Sequence, residues 1–216
     1  AGFENLSLDL IYGTPGETLA QWEDTVKSAL SYGIDHLSAY ALIVEDGTKL
    51  SAKIKRGEIE RPDDDLMASM YLKVDELASA AGLIWYELSN WGRPAEHNLV
   101  YWRNQNWWGL GPGAHSHLNG VRWWNVKHPS RYQEQLNKFE SPMQDREVLN
   151  DSQKRDERLM LQIRLRDGIE YSELSKSQLA ALENYPEQIE RIENRLVLTP
   201  SGRLIADRIV RELIMA

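Results

Sequence analysis

Two places in this sequence set a chemically capable side chain where it could be used. His97 opens the run His97-Asn98-Leu99-Val100-Tyr101-Trp102, in which a polar pair precedes an aromatic pair. Six of the eight tryptophans fall between Trp91 and Trp124, and four of the five histidines lie in or just past that stretch. A flat aromatic ligand held against aromatic faces, with a ring nitrogen as axial donor, would suit such a composition. The competing account has His97 and Asn98 hydrogen-bonding a loop while Tyr101 and Trp102 pack beneath it. The second place is Asp9, a carboxylate inside the otherwise apolar run Leu8 to Tyr12, just before Gly13-Thr14-Pro15-Gly16. Strands of α/β barrels present ligand groups at their C-terminal ends, so Asp9 either holds a ribose hydroxyl or an amine, or ties down a loop amide.

Other candidates are weaker. Tyr40-Ala41-Leu42 could flank a planar base, although Ala and Leu in a barrel strand are ordinarily core. Gly109-Leu-Gly-Pro-Gly-Ala-His-Ser116 resembles a phosphate loop only superficially, because it lacks the Lys-Ser/Thr ending and a following helix. A tight turn that lets backbone approach a ligand or another strand is the better account. His115 and His117 have the spacing of a metal pair but no adjacent carboxylate, which favours polar loop roles.

The elements that must position these groups are legible in the periodicity. Leu6 to Tyr12 reads as a buried strand, and Thr18-Leu-Ala-Gln21 is a capping box opening a helix with Leu19, Trp22, Val26, Ala29 and Leu30 on one face. A second strand is predicted from about His36 to Val44, then a Gly47 turn and a charged link. A helix from Pro62-Asp63 to Gly82 and a third strand over Leu83 to Ser89 complete a β-α-β-α-β order, for which a parallel sheet is expected. Gly2-Phe3, Gly33-Ile34 and Gly82-Leu83 introduce the three strands alike, and the first has no helix before it. The reading is a chain that starts inside a repeating unit, with earlier strands missing. Residues 91–150 read as an irregular Trp- and His-rich loop region. Residues 151–216 read as a small helical unit of winged-helix type, helical over Ile189 to Glu193, extended over Arg195 to Thr199, and helical again over Leu204 to Leu213.

Composition narrows the function classes. A net charge of −8 argues against a broad nucleic-acid surface, and the last 66 residues hold 11 Lys and Arg against 12 Asp and Glu. No apolar run reaches the roughly 18–20 residues of a membrane span. A soluble cytoplasmic protein is expected. With no cysteine at all, the chain offers no disulfide, thiolate zinc site or thiolate-held iron–sulfur cluster.

Four phrases occur in order: Asp-Leu-Ile-Tyr-Gly-x-Pro-Gly (9–16), Tyr-Glu-Leu-Ser-Asn (86–90), His-Asn-x-x-Tyr-Trp (97–102) and Gly-Pro-Gly-Ala-His-Ser (111–116). Together they resemble the radical S-adenosylmethionine family that contains oxygen-independent coproporphyrinogen III oxidase and the haem chaperones, and the likeness runs through essentially the whole chain. It implies the later part of a TIM-like β/α barrel over residues 1–90, the loop region over 91–150 and a helical C-terminal domain over 151–216. It also implies a [4Fe-4S] cluster on three cysteines of an N-terminal half that is missing here, so the piece alone would be inactive. By the same resemblance Asp9, Ile11, Tyr40 and Ala41 are S-adenosylmethionine contacts, and His97, with Tyr101 and Trp102, is the haem site. The signature at His97 favours the chaperone branch, whose partners would be haem or another tetrapyrrole and a haem-acceptor protein. The alternatives are an oxidase that decarboxylates propionate side chains and a non-catalytic docking module. The link from Ser89 to His97 is a few residues shorter than the family pattern.

Overall fold

The computed structural model describes residues 2–216, and its contacts divide the chain into one unit that runs to Pro94 and another from Ala95 to Ala216.

In the first unit, β1 (Ser7–Tyr12) and β2 (His36–Ala41) pair in parallel through α1 (Leu19–Ser31). The Thr18 capping box forms as the sequence predicts, with Thr18 and Gln21 satisfying each other's backbone amides. The stretch expected to be a charged link contains a two-turn helix, α2 (Lys49–Lys55), capped by the Thr48 side chain. Helix α3 (Asp64–Ala80) follows, capped by Asp63. The predicted third strand is divided. β3 (Trp85–Glu87) turns back at once into β4 (Asn90–Gly92), which inserts antiparallel beside β2, so the sheet order is β1-β2-β4-β3. The cause lies in Tyr-Glu-Leu-Ser-Asn: the buried Glu87 carboxylate accepts from the Ser89 amide and from the Asn90 side chain, closing the turn.

Strand alternation sorts this unit into two faces. Leu8, Leu10, Tyr12, Leu37, Ala39 and Trp91 pack against Trp22, Val26, Met70 and Val74 of the helices. The indoles that enter this core are satisfied, Trp22 Nε1 donating to the Met70 carbonyl at 2.9 Å and Trp91 Nε1 to Asp75 at 2.7 Å. The opposite face carries the polar positions.

The second unit corrects the expectation of an irregular region. It begins with α4 (Glu96–Trp102), continues into the antiparallel sheet β5 (His115–Leu118), β6 (Val121–Asn125) and β7 (Met143–Val148), and holds α5 (Pro129–Asn137) between the last two strands. Strands so rich in His, Trp, Arg and Asn lack the apolar alternation that would announce them. Beyond Asn150 come α6 (Asp151–Gln162), β8 (Ile169–Glu170), α7 (Lys176–Leu182), β9 (Ile189–Ile192), β10 (Arg195–Leu198), α8 (Pro200–Leu204) and α9 (Ala206–Met215). Residues 189–193, expected to be helical, instead form β9 of a hairpin, because Glu193 takes a left-handed conformation and turns the chain into β10. Helices with a three-stranded β8-β10-β9 sheet match the expected winged-helix-like character of this end.

Candidate functional site

On β1 and β2 the open face is set by register. Asp9 pairs with Ser38 and Ile11 with Tyr40, so partners across the parallel ladder project the same way. Asp9, Ile11 and Tyr40 are exposed on that face, whereas Ala41 turns its methyl to the core and could offer a ligand only backbone. The loop after β1 is closed by Glu17, whose carboxylate accepts from the amides of Gly13 and Thr14 and from the Thr14 hydroxyl. Gly13 is required twice over: its φ is +79°, and a Cβ there would press on Met67.

The same face holds a network the sequence reading missed. His36 Nδ1 lies 2.8 Å from Ser7 Oγ, and its Nε2 lies 2.9 Å from the Tyr86 hydroxyl. Burial pushes the imidazole below its usual range, with the Asp9 carboxylate partly opposing that. The available signal was parity, since His36 and Ser7 open two parallel strands at matching positions.

His97 lies on a helix rather than in a loop. α4 places it one turn before Tyr101, both exposed, with His97 Nε2 2.9 Å from the Tyr101 hydroxyl and the rings edge-to-face at 5.1 Å. Tyr101 continues to Trp107 at 5.0 Å and Trp107 to His117 at 4.9 Å, giving an aromatic run of four rings. Trp102, five residues from His97, is rotated about 140° around α4 and does not share the face. Arg93 bonds Asn5, and Arg103, just past α4, pairs with Asp167 at 3.0 Å.

His117 is buried and fully used. Its Nε2 accepts from the Gly120 amide at 3.2 Å, so Nδ1 carries the proton and donates to the Gln105 carbonyl at 3.1 Å. His115 is exposed and stacked on Trp124. Neither belongs to a metal cluster, and among the described residues no group of three His, Cys, Asp or Glu is placed to hold one. The Gly109–Ser116 segment is a turn entering β5, and a Cβ on Gly109 would collide with the His115 carbonyl, a close backbone approach of the expected kind.

No family model matches the chain. Proteins named haem chaperone HemW do match it. The one from Mycobacterium tuberculosis is 45% identical over 218 residues, covering 99% of this chain and 56% of the relative, and the one from Bacillus subtilis is 30% identical over 96% and 58%. A mouse protein named radical S-adenosyl methionine domain-containing protein 1, mitochondrial, is 38% identical over 113 residues. The chain thus spans a little over half the length of the relatives that match it throughout. The solved structure of coproporphyrinogen III oxidase from Escherichia coli, described as a radical SAM enzyme, superposes with a TM-score of 0.75 at 18% identity, covering 98% of this chain and 55% of that one. At that identity the likeness speaks for the fold.

Proposed function

The chain belongs to the radical S-adenosylmethionine family, with the HemW haem chaperones, and from that premise we propose that it binds haem through His97 and contributes Asp9, Ile11, Tyr40 and Ala41 to an S-adenosylmethionine site. The observation that carries the haem reading is the exposed His97–Tyr101 pair on α4, an imidazole with an aromatic neighbour one turn away. When bound, haem would supply an iron that takes an imidazole nitrogen as axial ligand. His97 would supply that nitrogen and the Tyr101 ring would pack edge-on beside it. In the first unit the Asp9 carboxylate suits a ribose hydroxyl or an amine, Ile11 and Tyr40 offer apolar surface beside it, and Ala41 offers backbone.

The iron–sulfur cluster of the family does not fit the donors of this chain, which has no cysteine. No redox step is therefore assigned to these residues. Transfer of haem to an acceptor protein is the activity proposed for a protein built on this chain. The 45% identity with haem chaperones favours that reading over the oxidase, whose likeness stands at 18%. Among the described residues no helix is long and apolar enough to cross a membrane.

The test is a haem titration of the parent and of His97→Ala, with His115→Ala and Trp102→Phe beside them and the thermal midpoint checked for each. His97→Ala should weaken binding most and shift the Soret band. Binding by His97→Ala equal to that of the parent would overturn the assignment.

A further inference from the structure

The second unit contains an open basin of about 440 Å³ between the end of α4, the β5–β6 turn and α6. Its lining carries Arg103, Lys154, Arg155 and Arg158 against the single carboxylate of Asp151, in a chain whose net charge is −8. The remaining lining is polar and holds no aliphatic side chain.

The placement of these cations runs against helix electrostatics. Lys154 and Arg155 stand four and three residues before Arg158 on α6, a spacing at which like charges repel. Arg103 is paired with Asp167 at 3.0 Å, whereas the partners of the three on α6 are few. Lys154 is 3.7 Å from Asp151 and Arg158 is 3.6 Å from Glu173, both loose, while Arg155 has no carboxylate partner among the described residues.

The basin is nevertheless built. Gly120 turns the chain between β5 and β6 at φ +84°, the end of the Lys154 side chain lies against it, and the Gly120 amide is fixed on His117. Asn106 and Asn119 lock the opposite wall, the Asn119 amide donating to Asn106 at 2.8 Å and the Asn106 side chain donating back at 3.0 Å. We propose that this basin binds a small hydrophilic polyanion, one that brings clustered anionic oxygens from phosphate groups or from neighbouring carboxylates. Guanidinium forks match either group, and the Lys154 ammonium adds a point charge. The basin offers no aliphatic side chain to a macrocycle body, and the proposal does not depend on the haem reading.

The experiment titrates the chain with inorganic pyrophosphate and, separately, with citrate, by calorimetry at low and at physiological salt. Saturable one-site binding of at least one of them is expected, weakened by added salt. Pyrophosphate alone would mark a phosphate-bearing ligand, citrate alone a carboxylate one. Arg155→Gln and Lys154→Gln should each weaken it roughly tenfold, the factor a lost charge-assisted hydrogen bond carries. Arg131→Gln, on α5 outside the basin, should leave it unchanged. Should one basin variant misfold by thermal midpoint, Arg158→Gln takes its place. Failure of both anions to bind, equal binding by the basin variants, or an equal loss in Arg131→Gln would each overturn the proposal.

Discussion

His97 Nε2 and the Tyr101 hydroxyl lie 2.9 Å apart, one helical turn from each other on α4. That nitrogen is therefore already engaged, and an iron that coordinates through it must first displace the phenol. A neutral hydrogen bond of this sort is worth about 0.5–1.5 kcal/mol net. Tyr101→Phe keeps the ring and removes the competitor, so haem affinity should rise by up to about tenfold. A drop in affinity, read from Soret titration, would instead make the hydroxyl part of the binding geometry.

His36 gives a pH signature. Its folded-state affinity for a proton is lowered by burial between Ser7 and Tyr86, so the unfolded chain binds the proton more readily. The stabilisation is full above the unfolded value near 6.5 and is lost as pH falls through it toward the lower folded value. Thermal midpoints of the parent should fall between about pH 7 and pH 5 more steeply than those of His36→Gln. Parallel curves would remove His36 from the account.

Much of this was legible in advance, and the reasons for the rest are physical. Thr18 and Gln21 announced α1, and the apolar run before Gly13 announced β1, because capping and burial are encoded within a few residues. The β3–β4 reversal was hidden because it depends on one buried carboxylate, Glu87, that looks like any surface glutamate in sequence. His97 was visible as a candidate, but not its bond to Tyr101, since a helix made of Glu-His-Asn-Leu-Val-Tyr-Trp carries little amphipathic signal. The pairing of Asp9 with Ser38 lay beyond periodicity altogether, because it depends on which strand lies beside β1.

Glu87 should dominate the local stability of the first unit. Glu87→Ala leaves the Ser89 amide and the buried Asn90 side chain without their acceptor, at about 1–3 kcal/mol for each lost bond. Glu87→Gln retains one carbonyl oxygen but turns an NH₂ toward a donor, so it should fall between parent and alanine. Urea midpoints with an unchanged m value would measure this. A loss under about 0.5 kcal/mol for the alanine variant would show that the turn closes without the carboxylate.

The last expectation concerns the cluster chemistry of the family. Iron–sulfur clusters of this type are held by thiolates, and this chain has none among its 216 residues. Two of its histidines are already spent, His117 with both ring nitrogens on backbone groups and His36 between Ser7 and Tyr86, and among the described residues no three His, Cys, Asp or Glu are placed to hold a metal. Anaerobic incubation with iron and sulfide, followed by desalting, should therefore leave the protein colourless with no bound acid-labile sulfide. The same preparation should still take up haem, because that reading rests on an imidazole and not on a thiolate. Stoichiometric iron and sulfide on the desalted protein would mean that oxygen and nitrogen donors of this chain hold a cluster. Loss of haem uptake with the protein still folded would overturn the haem reading and leave the cluster expectation standing.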